Sequence, residues 1–161
     1  MTPREEYGEL IDEVERVIGG LSHLPNASVG CQPGCAECCV PPTLLPLEAA
    51  VIRDAGAAHR AREGSEDRCP LLTADRLCAV YAARPLVCRV RGYPVDCVDE
   101  DGMPMRENCA KNRFPLDLGE SGAMNLEEWN ARLYRISVRF CAQEAVPLRR
   151  MRILDAYGAS R

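Results

Sequence analysis

Four cysteines fall within nine residues, at Cys31, Cys35, Cys38 and Cys39, and the series runs on through Cys69, Cys78, Cys88, Cys97 and Cys109. A tenth, Cys141, stands apart. Cysteine is ordinarily scarce and buried singly, so ten in 161 positions, two of them adjacent, ask for more than core packing. Thiolates gathered around a metal ion or an iron–sulfur cluster supply that reason. The rival is a disulfide framework, which belongs to oxidising compartments. The opening residues, Met1-Thr2-Pro3-Arg4-Glu5-Glu6, form no basic n-region, and no apolar run of signal-peptide length precedes Leu21. No stretch approaches the roughly 20 apolar residues of a membrane span. The expectation is therefore a cytoplasmic protein with no membrane partner, whose reduced cysteines act as ligands.

A chain of this length, 47% hydrophobic, suits one compact domain over residues 1–161, although its aromatics are few for a core of that size. A metal centre would replace part of the missing core. The net charge of −4 and the absence of a lysine or arginine stripe exclude a general nucleic-acid binder. Charge is unevenly placed: residues 4 to 16 hold six acids against two arginines, whereas residues 84 to 91 hold Arg84, Arg89 and Arg91 and no acid.

The organisation predicted is mainly α, a small metal-stabilised domain with helices at both ends, a cysteine-rich loop region between them and one or two short β-hairpins. Thr2 can cap a helix with Pro3 at its first position and Glu5 returning the bond. Tyr7, Leu10, Ile11, Val14, Val17, Ile18 and Leu21 then recur at helical spacing, predicting a helix over 3–22 that Gly19-Gly20 weakens and Pro25-Asn26 stops. A second helix is expected from near Pro46 through Glu48 to Arg62, followed by an exposed loop at 63–67. At the C-terminal end, Asn125 with Glu128 resembles a capping box. Leu126, Trp129, Leu133, Ile136 and Phe140 share one face of the helix it would begin. Pro147 should break that helix, and Leu148 to Tyr157 should form a last one, closing the helical stretch 125–157. Cys141 on this face reads as a small buried hydrophobe.

In the middle of the chain, Cys69-Pro70-Leu71-Leu72 and Leu77-Cys78-Ala79-Val80-Tyr81 flank a turn, Thr73-Ala74-Asp75-Arg76. Pairing Leu72 with Leu77 would set Leu71 opposite Cys78 and make Cys69 its diagonal neighbour, so that two sulfurs converge. Pro85 can open a helical turn that places Cys88 near its N-terminal end, where a thiolate is favoured. Arg84, Arg89 and Arg91 can donate hydrogen bonds to a negatively charged, sulfur-ligated centre. Cys97 and Cys109 flank a second hairpin around Asp99-Glu100-Asp101-Gly102, and they complete a candidate ligand set of nine cysteines. That acidic turn lacks the alternating oxygen ligands and distal glutamate of a calcium loop.

These elements, in this order, resemble the YkgJ-type cysteine-cluster family, a CxxCxxCC domain with which zinc or iron chelation is associated. The carriers are the dense stretch closing in Cys38-Cys39, then Cys69-Pro70-Leu71-Leu72, then Leu77-Cys78-Ala79-Val80-Tyr81, then Arg84-Pro85-Leu86-Val87-Cys88-Arg89. Pro46-Leu47-Glu48-Ala49 also resembles the family's helix after the double cysteine. The resemblance covers about residues 31 to 93 and implies a bound metal or cluster. The chain departs from the family pattern at its start, where three residues rather than two separate Cys31 from Cys35. Relatives include flagellin lysine methylases associated with an iron–sulfur centre, but those are longer, and no glycine-rich loop for a methyl donor is visible here.

Between metals, all-sulfur ligation suits both zinc and iron. His23 reads as a helix-end residue and His59 as a surface one, neither at ligand spacing. The neighbouring side chains of Cys38 and Cys39 diverge, which is awkward for one tetrahedral zinc and better suited to a larger cluster or two metals, so an iron–sulfur cluster is preferred to zinc. The Cys31, Cys35, Cys38 spacing also occurs in radical enzymes that bind S-adenosylmethionine, but the barrel scaffold of those enzymes is absent. Three roles remain open: a metal or cluster protein serving electron transfer or a modification reaction with a partner protein, a zinc-stabilised adaptor, and a thiol-based redox or metal-handling protein. No hydrolase triad or phosphate loop is present.

Overall fold

A computed structural model describes residues 1–56, 68–118 and 124–158. Helix α1 spans Pro3–Ser22 and begins as its cap residues dictate. The Thr2 hydroxyl accepts from the Glu5 N–H, and the Glu5 carboxylate accepts from the Thr2 N–H at 2.7 Å. Gly19 and Gly20 stay helical, His23 caps the end, and Asn26 turns the chain with φ of 65°. The helix buries Tyr7, Leu10, Ile11, Val14, Ile18 and Leu21, the expected stripe without Val17, which is only partly buried.

That stripe packs on α4, Leu126–Glu144. Asn125 caps α4 by accepting from the Glu128 N–H at 3.1 Å. Trp129, Leu133, Ile136 and Phe140 face the core as their spacing predicts, and Cys141 is buried beside them. Burial of such side chains is worth roughly 1.5–3 kcal/mol each, so this α1–α4 seam is the main store of stability. Across it, Glu13 accepts from Arg132 at 2.7 and 2.8 Å and from the Trp129 indole N–H at 3.3 Å.

A second, smaller core gathers Leu44, Ala49, Ile52, Leu71, Val80, Ile153 and Ala156. It is built by β1 (Thr43–Leu44), α2 (Pro46–Ala55), β5 (Met151–Arg152) and α5 (Ile153–Gly158), with Leu71 and Val80 added from the segment after Cys69. The expected helix over Leu148 to Tyr157 is corrected here. Met151 and Arg152 pair antiparallel with Leu44 and Thr43, and only the residues from Ile153 are helical. An extended start lets Ile153 reach the small core. The outer part of the expected second helix, with His59, and the loop expected at 63–67 lie outside the described residues.

The remaining sheet has the order β3-β2-β4, with β2 (Val95–Val98) antiparallel to β3 (Pro104–Glu107) and parallel to β4 (Met124–Asn125). The expected second hairpin is therefore present, its turn closed by the Asp99 N–H to Met103 carbonyl bond at 3.0 Å and by Gly102 at φ of 78°. Among the described residues no helix is long and apolar enough to cross a membrane.

Candidate metal centre

The run from Cys31 to Cys39 carries no helix or strand, only tight turns. The Cys35 N–H donates to the Gln32 carbonyl at 2.9 Å and the Cys39 N–H to the Ala36 carbonyl at 3.2 Å, so the chain folds back on itself at each cysteine. A backbone bond from the Cys69 N–H to the Cys39 carbonyl, 2.9 Å, brings the next segment in.

The hairpin after Cys69 forms in a different register from the expected one. Leu72 bridges Cys78 rather than Leu77, and the Ala79 N–H donates to the Leu71 carbonyl. The cause is a loop one residue shorter than a four-residue turn: the Thr73 N–H donates to the Leu77 carbonyl, the Leu77 N–H donates to the Thr73 hydroxyl, and Arg76 takes a left-handed φ of 61°. Leu71 is buried as a result, while Leu77 is exposed. Cys69 and Cys78 still pack together against the smaller core.

Cys88 arrives on α3, Leu86–Val90, for which Pro85 is the cap. Its placement depends on Glu48, a carboxylate only 3% exposed. One Glu48 oxygen accepts from the Leu45 N–H at 3.1 Å and the other from the Leu86 N–H at 3.0 Å, joining the start of α2 to the start of α3. Burial raises this carboxyl above its ordinary range, against the pull of those two bonds.

The segments enclose a cavity of about 520 Å³ whose wall carries seven thiols, from Cys31, Cys35, Cys38, Cys39, Cys69, Cys78 and Cys88. Among the described residues no acid lines it, and its charged residues are Arg76, Arg84 and Arg91. All ten cysteines are free thiols. Burial pushes the Cys39 thiol up to about 11, helped by Cys38, Cys69 and Cys78. Cys88 is pushed up to about 12, again chiefly by burial, with Cys69, Cys78 and Cys39 adding to it and Arg91 opposing. The expected helix-terminus activation of Cys88 is thus outweighed, because α3 has a single turn of dipole and the sulfur is deeply placed.

Among the described residues no three His, Cys, Asp or Glu side chains stand close enough to grip a single ion as they are placed. The donor chemistry nevertheless suits a thiophilic group. Soft sulfur ligands face a common space, with no carboxylate beside them among the described residues. Arg84 and Arg91 on the same wall would offset the negative charge of thiolates there.

A second cavity, about 820 Å³, shares Cys31, Cys35 and Cys38 with the first and adds Cys97 and Cys109. Asn112, 6% exposed, stitches its walls. The Asn112 side chain accepts from the Gly30 N–H at 2.9 Å and donates to the Gly92 carbonyl at 2.6 Å, while the Ser28 and Arg113 backbones exchange bonds of 2.8 Å. Cys109 is held to the same frame by its N–H on the Gly92 carbonyl. Lys111 reaches Glu37 at 2.5 Å and the Cys35 sulfur at 3.8 Å. Cys97 sits on β2 opposite Met105; its charged neighbours are Glu107, Asp96 and Asp99, not thiols.

The three arginines part company. Arg84 lines the first cavity, its guanidinium 3.7 Å from the Tyr81 ring centroid, and Arg91 lines both cavities. Arg89 does not meet the sulfurs: it is buried and donates to the Arg84 and Ala82 carbonyls and, at 2.5 Å, to Glu15 of α1. Arg89 positions α3 and is not among the residues that line either cavity. Sequence reasoning did not single out Glu48, Asn112 or Lys111. Only Glu48 carries a local signal, an acid three residues after a cap position; Asn112 acts through contacts 82 and 20 positions away.

A family model for CxxCxxCC, described as a zinc- or iron-chelating domain, matches residues 30–110, half of the chain. No curated protein and no solved structure matches.

Proposed function

The chain belongs to the CxxCxxCC family of zinc- or iron-chelating domains, and on that footing we propose that its thiols hold an iron–sulfur cluster in preference to a single zinc ion. The observation that carries this reading is the cavity of about 520 Å³ walled, among the described residues, by seven thiols and three arginines and by no acid. A space of that size, lined by thiols from several chain segments, suits a group larger than one ion. Cys39, Cys69, Cys78 and Cys88 would be its ligands. Arg84 and Arg91 would supply charge and hydrogen bonds to the sulfurs, and the apolar wall of Leu71, Leu72, Val80 and Ile153 would limit water. When bound, the cluster supplies one-electron chemistry. The protein would act in the cytoplasm with a partner protein, in electron transfer or as part of a modification reaction.

Replacing Cys78 or Cys88 by serine should abolish iron loading of anaerobically purified protein, measured by metal analysis, while Cys141→Ser, in the helical core, should leave it intact. Equal loss in all three would contradict the assignment.

A further inference from the structure

Resting on the reading above that the inner cavity holds a one-electron centre, we infer that the mouth of that cavity is the docking face for a small acidic electron-carrier protein, whose contact surface is apolar and ringed by carboxylates. Large apolar side chains that gather in water mark an interaction surface. Val40 is 41% exposed, Leu77 45% and Tyr81 63%, and all three line the inner cavity. They come from the cysteine run, the hairpin and the short 3₁₀ turn Tyr81–Ala83 that follows it. The hairpin register, with Leu72 opposite Cys78, leaves Leu77 on this rim while Leu71 goes inside.

Charge on the same rim has one sign. Arg76, Arg84 and Arg91 line the cavity, with no acid beside them there among the described residues. Arg76 and Arg91 are exposed, and neither pairs with a carboxylate among those residues. Glu37, whose field reaches Arg76, is itself held by Lys111 at 2.5 Å. Arg84 lies 3.6 Å from Glu15, and its Nε donates to the Tyr81 carbonyl at 3.0 Å, which sets the guanidinium over the Tyr81 ring. Tyrosine and arginine side chains preset in this way lose little freedom on binding, and interfaces concentrate their energy on these two residue types. The rest of the chain has the opposite balance, with a net charge of −4 and six acids in residues 4 to 16. An acidic carrier is therefore repelled by the chain as a whole and drawn to the one opening where the thiols and the unpaired arginines meet.

The test titrates anaerobically purified protein by calorimetry with two acidic probes, a flavodoxin and a plant-type ferredoxin, with the iron and sulfide of each sample measured alongside. Both probes should bind one to one, and raising the salt from about 0.05 to 0.5 M should weaken them about ten-fold or more. Arg76→Glu should weaken binding about ten-fold and Leu77→Gln several-fold, while Arg135→Glu, exposed on α4, should leave it unchanged. Cluster-loaded protein that binds neither probe, or binds them as well with Arg76→Glu and Leu77→Gln as without, overturns the docking face and leaves the cluster reading standing. Self-association in sedimentation that salt and Arg76→Glu both abolish overturns it as well, by giving the face to a second copy. A single-stranded oligonucleotide that binds this face more tightly than either probe does the same in favour of a nucleic acid. Folded protein without iron or sulfide overturns the cluster reading. If that protein still binds the probes through Arg76, the acidic-partner face stands by itself; if it binds neither, both readings fall.

Discussion

Glu48 and Ser137 show how differently two buried polar side chains act. The Glu48 carboxylate satisfies two backbone N–H groups at once, one at each of two helix starts. Glutamine cannot, because its NH₂ would face a donor. Glu48→Gln should cost about 1–3 kcal/mol of folding stability in chemical denaturation. The pH dependence has a definite sign. Burial raises the folded-state affinity of Glu48 for its proton, so its contribution is full below the ordinary glutamate range and is lost as pH rises through the folded value. That part of the pH slope should vanish in the glutamine variant. Ser137 is fully buried on α4 and its hydroxyl has no hydrogen-bond partner among the described residues. Ser137→Ala should therefore raise stability by up to about 1 kcal/mol, read as a higher denaturation midpoint.

Among the elements, those with local codes were legible beforehand and those fixed by distant contacts were not. α1 and α4 follow from Thr2, Asn125 and their apolar spacing, and the β2–β3 hairpin follows from Asp99 to Gly102. The register after Cys69 slipped by one residue because Thr73 closes the loop with both its backbone and its hydroxyl, a bond that composition does not announce. Met151–Arg152 is a strand only because Thr43–Leu44 offers it an edge. At the site, the cysteines themselves were readable from their spacing, but Asn112 and the inward turn of Arg89 were not, since both answer to partners more than seventy positions away. Gly30 belongs with these: a Cβ there would lie 2.5 Å from the Lys111 carbonyl oxygen. Gly30→Ala should force the 28–30 and 111–113 segments apart and cost about 1–3 kcal/mol in thermal or chemical denaturation.

At the scale of the molecule, two cores of unequal size carry different duties. The α1–α4 seam is a conventional helical core, and the smaller cluster around Leu44, Ile52 and Ile153 backs the cavity through Cys69 and Cys78. Metal removal should therefore loosen the hairpin and α3 while α1 and α4 persist, an outcome that amide hydrogen exchange would map. Belonging to a family described as zinc- or iron-chelating supports metal binding by the chain, and the cluster is the proposal that needs testing. The most direct measurement is metal analysis with an absorption spectrum on anaerobically purified protein. Iron with acid-labile sulfide and visible charge-transfer bands that bleach in air is the predicted result; colourless, zinc-loaded protein that stays folded in air would contradict it.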